Sequence, residues 1–259
     1  MLLAIDIGNT NIVIGIYQQG SWQHIWRLET LQEKGRIDYE RDLRDFFLES
    51  GLKASQVQGA VLSSVVPALN SRLAEAAGGF PGQQVLRVAP EIYPHLPVKI
   101  SNPAQMGTDL VANAVGAYQR FRSACVVVDF GTALTFTVID DDGTVRGVSI
   151  APGLKTAMQA LSLNTAQLPD VPLELPASAI GTDTTTALQA GIMWGYAGLT
   201  SFMLEKIKAE MKKPVKVVAT GGLSFVYKDL VKYFDFTDTN LTLEGLREIY
   251  GFVNSPASR

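Results

Sequence analysis

Apolar residues alternate with polar ones through Leu3, Ile5 and Ile7, stop at Gly8-Asn9-Thr10-Asn11, and resume at Ile12, Ile14 and Ile16. A period of two on both sides of a turn-forming tetrad predicts a β-hairpin. From about Leu31 to Gly51 the pattern becomes charged and helix-favouring, with Leu43, Phe46, Phe47 and Leu48 at helical spacing. A β-rich run, Ala60-Val61-Leu62-Ser63-Ser64-Val65-Val66, is stopped by Pro67 and followed by a helix ending near Gly78 and Gly79. The proline-rich stretch from Pro90 to Pro103 predicts a loop with a short extended piece at Val98-Lys99-Ile100. Beyond Gly107-Thr108-Asp109, the positions Leu110, Val111, Ala114, Val115 and Tyr118 predict a helix, with Thr108 or Asp109 as its N-cap.

A second strong strand starts at Ala124, and its punctuation repeats the first. Ala4-Ile5-Asp6-Ile7-Gly8-Asn9-Thr10 and Val127-Val128-Asp129-Phe130-Gly131-Thr132 share an apolar strand, an aspartate, one apolar residue, a glycine and a small polar residue. A returning strand through Thr135, Thr137 and Ile139 follows, so the pattern reads as an internal duplication. Asp140-Asp141-Asp142-Gly143 signals a turn before a strand at Val145 to Ile150. Leu154 to Leu163 and Thr184 to about Met211 suit helices, separated by a proline-rich loop from Leu168 to Pro176. Val215 to Ala219 is a strand leading into Thr220-Gly221-Gly222, and the tail is mostly helical. Strands and helices alternate in two halves, which predicts an α/β protein of two domains meeting at a cleft.

Length and composition narrow the function. The chain has 259 residues, 47% of them hydrophobic and 18% charged, so a sizeable core is expected and disorder is not. A net charge of -3 lacks the basic surplus that binding many phosphates requires, which argues against a nucleic-acid partner. Cys125 is the one cysteine and His24 and His95 are far apart, so neither a disulfide framework nor a cysteine or histidine metal cluster is expected. The apolar start is interrupted by Asp6 and has no basic leader, and no run reaches the ~20 apolar residues of a membrane helix. These features predict a soluble cytoplasmic protein with no membrane partner.

The two acidic strand ends carry the candidate chemistry. Glycine lets backbone amides approach phosphate oxygens, and Asn or Thr adds side-chain donors and acceptors. A carboxylate beside a phosphate repels it unless a cation lies between, so Asp6 and Asp129 make sense as cation-organising groups around a nucleoside triphosphate. Turn preference alone also puts Asp, Gly and Asn at strand ends. No Walker-type Gly-Lys-Ser or Gly-Lys-Thr follows either loop, and each loop joins two strands instead of opening a helix as a dinucleotide fingerprint does.

Taken in order, Asp6-Ile7-Gly8-Asn9-Thr10, Ser63-Ser64-Val65-Val66-Pro67, Gly107-Thr108-Asp109, Asp129-Phe130-Gly131-Thr132, Ala151-Pro152-Gly153-Leu154 and Thr220-Gly221-Gly222 resemble the type III pantothenate kinases. The resemblance spans nearly the whole chain. It implies two ribonuclease-H-like domains of the actin-like ATPase type with a central cleft, at residues 1–119 and 120–259, and a homodimer. It also implies transfer of the ATP γ-phosphate to pantothenate, the first step of coenzyme A synthesis, with Mg2+ accompanying ATP and a monovalent cation, K+ or NH4+, as cofactor. The residues it implies for the nucleotide are Asp6, Ile7, Gly8, Asn9, Thr10, Asn11, Ile12, Val13 and Thr132. For pantothenate it implies Gly107, Thr108, Asp109, Leu110 and Thr184, with Asp109 as catalytic base and Asp129 as ligand of the monovalent cation. A carboxylate suits the base, because phosphoryl transfer passes through a loose transition state in which the alcohol need only be oriented and finally deprotonated. Its place at a helix N-terminus favours the ionised form.

Three positions depart from the family pattern. Leu110 stands where the family usually has arginine, Ile100 where it commonly has tyrosine, and Asp183 where it has asparagine before Thr184. A guanidinium offers fixed donors and a permanent charge to an anionic acceptor, and leucine offers only apolar surface. Two other readings therefore stand beside the kinase: a nucleotide-binding regulatory homologue without kinase activity, and a phosphatase of the same superfamily.

Overall fold

The computed structural model describes residues 1–80, 84–227 and 232–255. The chain divides into two compact units, Met1–Arg120 with Leu241–Arg259, and Phe121–Asn240. The expectation of a second domain running from 120 to 259 is corrected in one respect: the C-terminal helix belongs to the first unit. Residues 228–231 and 256–259 of the expected helical tail lie outside the described residues.

In the first unit β1 (Leu2–Ile7), β2 (Asn11–Gln18) and β3 (Ser21–Glu29) form an antiparallel meander. The helix α1 (Arg36–Glu49) leads to β4 (Gly59–Ser64), which pairs in parallel with β1. After α2 (Asn70–Gly78) the chain adds β5 (Leu86–Arg87) parallel to β4, giving the order β3-β2-β1-β4-β5. A 3-10 turn at Pro90–His95, the short strand β6 (Lys99–Ile100) and the helix α3 (Thr108–Phe121) complete the connection. Leu43, Phe46 and Phe47 of α1 are buried as their spacing predicts, with Trp26 against Phe46 at 3.9 Å between ring centres. Leu48 is 77% exposed, one position beyond the apolar stripe. The strand β3 was not anticipated, although Trp22, His24, Trp26 and Leu28 alternate as a strand should.

The second unit repeats this plan. The strands β7 (Cys125–Phe130), β8 (Ala133–Ile139) and β9 (Thr144–Pro152) form the meander, followed by α4 (Leu154–Asn164) and the long α5 (Thr184–Met211). Next come β10 (Lys216–Thr220), parallel to β7, then α6 (Ser224–Tyr227) and β11 (Phe236–Thr237), parallel to β10. The order β11-β10-β7-β8-β9 mirrors the first unit strand for strand. Phe130 stacks on Tyr227 with ring centres 5.1 Å apart, and the buried Tyr196 hydroxyl donates to the Pro152 carbonyl at 2.8 Å, tying α5 to the end of β9.

The chain closes with α7 (Leu241–Asn254), buried through Leu241, Leu243, Leu246 and Ile249. It is fixed to the first unit by side chains: Thr242 Oγ1 donates to Asn113 Oδ1 at 2.8 Å, and Trp22 Nε1 donates to Glu244 Oε1 at 2.7 Å. Among the described residues no helix is long and apolar enough to cross a membrane.

Candidate active site

Each unit presents an aspartate at the same place in its sheet. Asp6 sits one residue from the end of β1 and pairs with Val13 on β2 and Ser63 on β4. Asp129 sits one residue from the end of β7 and pairs with Thr135 on β8 and Thr220 on β10. Paired residues present their side chains to one face of a sheet, so each carboxylate stands beside a hydroxyl on its parallel neighbour.

The first loop, Gly8 to Asn11, is closed by the Gly8 amide donating to the Asn11 carbonyl at 2.9 Å. Thr30, beyond the end of β3, pins it from outside: its hydroxyl donates to the Gly8 carbonyl at 2.7 Å and its amide to the Thr10 carbonyl at 3.0 Å. Asn9 and Asn11 are exposed, while Ile7 and Ile12 are buried and Val13 is partly buried. The apolar members of this segment therefore anchor the strands, and Asn9 and Asn11 face outward.

In the second unit the loop at Gly131 and Thr132 closes through the Gly131 amide, which donates to the Ala133 carbonyl at 3.1 Å. The Thr132 carbonyl accepts from the Gly153 amide at 2.9 Å and from the Thr156 hydroxyl at 2.7 Å, so the start of α4 packs on this loop. Gly221, with φ +88°, comes against the Asp129 carboxylate; a Cβ there would lie 2.6 Å from Oδ1. Thr135 Oγ1 is buried with no hydrogen-bond partner among the described residues, and Thr220 is 1% exposed. Among the described residues no group of three or more His, Cys, Asp or Glu gathers as a metal cluster. A cation at Asp129 would meet its carboxylate beside the neutral hydroxyls of Thr135 and Thr220, oxygen donors that suit a hard ion.

The segment expected to meet the acceptor, Gly107 to Leu110, lies at the beginning of α3. Gly107 precedes the helix and its carbonyl accepts from the Val111 amide at 3.1 Å, so neither Thr108 nor Asp109 is the N-cap expected from the sequence. Thr108 instead turns its hydroxyl to β4, accepting from the Ser64 amide at 2.9 Å and donating to the Ser64 carbonyl at 3.0 Å. The Asp109 Oδ1 accepts from the Leu110 amide at 2.8 Å, one of the orphan amides of the first turn. Burial pushes the Asp109 carboxyl above its ordinary value, against the opposing effect of the backbone amides. The helix terminus favours the ionised form, as expected, but desolvation is the larger of the two opposing effects on this group. Leu110 contributes its backbone amide to this bond, so the bond does not depend on its apolar side chain.

Tyr93, on the 3-10 turn before β6, was missed by the sequence reading. It is 5% exposed, its hydroxyl has no hydrogen-bond partner among the described residues, and burial together with the Glu91 and Asp109 charges pushes its phenol up to about 12. Thr30 and Ser63 were likewise assigned no role, because their contacts depend on chain pairing across 22 and 45 residues.

Thr184 is the first residue of α5 and is exposed. Asp183 caps that helix, its carboxylate accepting from the Thr186 amide at 2.8 Å. This bond holds the Asp183 carboxyl below its ordinary value, and it explains why aspartate serves where asparagine is usual.

The sequence profile of the type III pantothenate kinases matches residues 2–206. A type III pantothenate kinase of Treponema pallidum (strain Nichols) is 43% identical, covering 97% of this chain and 94% of that protein. One of Anaeromyxobacter sp. (strain K) is 40% identical, covering 96% and 98%. Among solved structures, a candidate 2-dehydro-3-deoxygalactonokinase from Sinorhizobium meliloti superposes with a TM-score of 0.57 at 13% identity, covering 100% of this chain and 99% of that one. That likeness is one of fold: two α/β domains of the sugar-kinase and actin-like ATPase type. With the repeated sheet plan, the ordered loops and full-length relatives in agreement, the chain belongs to the type III pantothenate kinase family.

Proposed function

We propose that the protein transfers the γ-phosphoryl group of ATP to pantothenate, forming 4'-phosphopantothenate at the entry to coenzyme A synthesis. The observation that carries the reading is Asp109, a buried-side carboxylate held at the first turn of α3 by the Leu110 amide, in a chain of this family. The regulatory alternative draws no support from the relatives above.

In this reading Asp6 through Val13 and Thr132 engage the nucleotide, and Gly107 through Leu110 with Thr184 engage pantothenate. Asp109 orients the attacking hydroxyl and takes its proton as the new bond completes. Its desolvated setting makes it a stronger proton acceptor than a solvent-exposed carboxylate, and the Leu110 amide keeps Oδ1 in place, leaving Oδ2 for the substrate. Asp129, flanked by Thr135 and Thr220 and backed by Gly221, would hold the monovalent cation. Such an ion, with Mg2+ on the nucleotide, would supply positive charge against the triphosphate.

The exposed face of α5 supports a homodimer. Gly191, Gly195, Gly198 and Phe202 follow one another at helical spacing, all exposed, with Phe202 at 57%. Leu163 and Ile180, exposed at 83% and 80%, add apolar surface in the same unit. A buried, unpaired Cys125 and the acidic balance fit a cytoplasmic enzyme with a small-molecule substrate and no nucleic-acid partner.

The test is ADP release from ATP with and without pantothenate, in potassium and then sodium buffer. Release that depends on pantothenate supports the reading. Tight ATP binding without turnover would replace it with the regulatory one, and phosphate release without an acceptor would replace it with a phosphatase.

A further inference from the structure

We infer that Ser63 is a positioning residue for the reaction: acting through Thr108, it holds the first turn of α3, and with it Asp109, against the strand beside Asp6. The inference rests on the proposed role of Asp109 as proton acceptor. Ser63 is fully buried on β4, and its Oγ lies 2.9 Å from Thr108 Oγ1. The Thr108 hydroxyl has one proton and two acceptor sites. Its proton goes to the Ser64 carbonyl at 3.0 Å, and one acceptor site takes the Ser64 amide at 2.9 Å. The remaining bond must therefore be donated by Ser63, and the relay runs in one direction, from Ser63 through Thr108 to the Ser64 carbonyl.

Three bonds to two consecutive residues leave the first turn of α3 no freedom to slide along β4. On its other flank Ser63 pairs with Asp6 in the ladder of β1 and β4. Asp6 and Asp109 are thereby connected by one strand pairing, one hydroxyl pair and one peptide unit. Val65 continues the same contact, its Cγ1 standing 3.6 Å from where a Cβ on Gly107 would be. The strand itself has no need of a hydroxyl here: at a fully buried site on a parallel strand an apolar side chain avoids the desolvation cost that serine incurs. The bond to Thr108 is what that cost is offset by.

The experiment compares kcat and KM for both substrates in wild type, Ser63→Ala, Thr108→Ser, Thr108→Val, the Ser63→Ala/Thr108→Val double variant and Asp109→Asn. A displacement of the base by a fraction of an ångström should lower kcat of Ser63→Ala by about 10-fold or more with KM for ATP unchanged. Thr108→Ser, which keeps the hydroxyl, should retain turnover that Thr108→Val loses. The double variant should be no slower than Thr108→Val alone, because both changes break one relay. Wild-type kcat in folded Ser63→Ala, or losses that multiply in the double variant, would overturn the inference. Should Ser63→Ala not fold, equal turnover in Thr108→Ser and Thr108→Val would overturn it. Full activity in Asp109→Asn would instead remove the reading of Asp109 on which it stands.

Discussion

The carboxylate of Asp109 fills the space that a side chain on Gly107 would need: a Cβ at position 107 would lie 2.6 Å from Asp109 Oδ1. Glycine and carboxylate are thus one fitted pair at the start of α3. Replacing the base alone, as Asp109→Asn, keeps the shape and the acceptor for the Leu110 amide while removing the basic oxygen. Turnover should fall about 100-fold or more, the scale of lost general-base assistance, with ATP affinity unchanged by calorimetry. Wild-type turnover would reduce Asp109 to a helix-end hydrogen-bond acceptor.

The same substitution should stabilise the fold at neutral pH. Burial raises the folded-state pKa of Asp109 above the unfolded value of 3.8, so the folded protein binds the proton more tightly than the unfolded one. Stability from this group is therefore fullest below the unfolded pKa and is lost as pH rises through the folded pKa. Thermal melts of Asp109→Asn and wild type should differ at pH 7 in favour of the variant and converge near pH 3.5. Equal melting temperatures at pH 7 would contradict a desolvated carboxylate.

Asp129→Ala should abolish activation by potassium while leaving the fold intact. The measurement is ADP release across a potassium titration against a sodium background. An unchanged potassium response would reject Asp129 as the ligand.

Gly221→Ala tests the backing of that carboxylate. An L-residue at φ +88° costs about 1–2 kcal/mol, and the added methyl would press on Asp129 and on the Phe130 backbone. The midpoint of urea unfolding should drop, and half-saturation by potassium should move to higher concentration. A variant with unaltered stability and potassium dependence would show that the turn relaxes without cost.

Phe202→Glu places a charge on the exposed face of α5, at its largest apolar side chain. Light scattering should report a dimer for wild type and a monomer for the variant. A wild-type monomer at micromolar concentration would exclude this face as a dimer contact.

Much of the fold is legible in the sequence because the two meanders alternate with period two and turn at Gly, Asn and Asp. The span of α5 and the start of α4 are as the sequence predicts, and β7 begins one residue after the predicted Ala124. Local grammar fails where position depends on distant pairing. Ser63 reads as strand, but its partnership with Thr108 requires α3 to return across β4. Tyr93 sits in a proline-rich stretch with no periodicity, so its burial has no sequence signal. The effect of burial on Asp109 was missed for the same reason: helix position is visible in sequence, and the surrounding protein that desolvates the carboxylate is not. The assignment of α7 to the first unit was also illegible, since an amphipathic helix does not specify which sheet it covers.

The placement of α7 has a consequence for how the protein is made. Residues 121–240 form a contiguous stretch of chain, whereas the unit begun at Met1 gains Thr242, Glu244 and Leu246 only when α7 has been synthesised. On a ribosome the half translated first is thus the half finished last, and until then Asn113 and Trp22 wait without the helix that covers them.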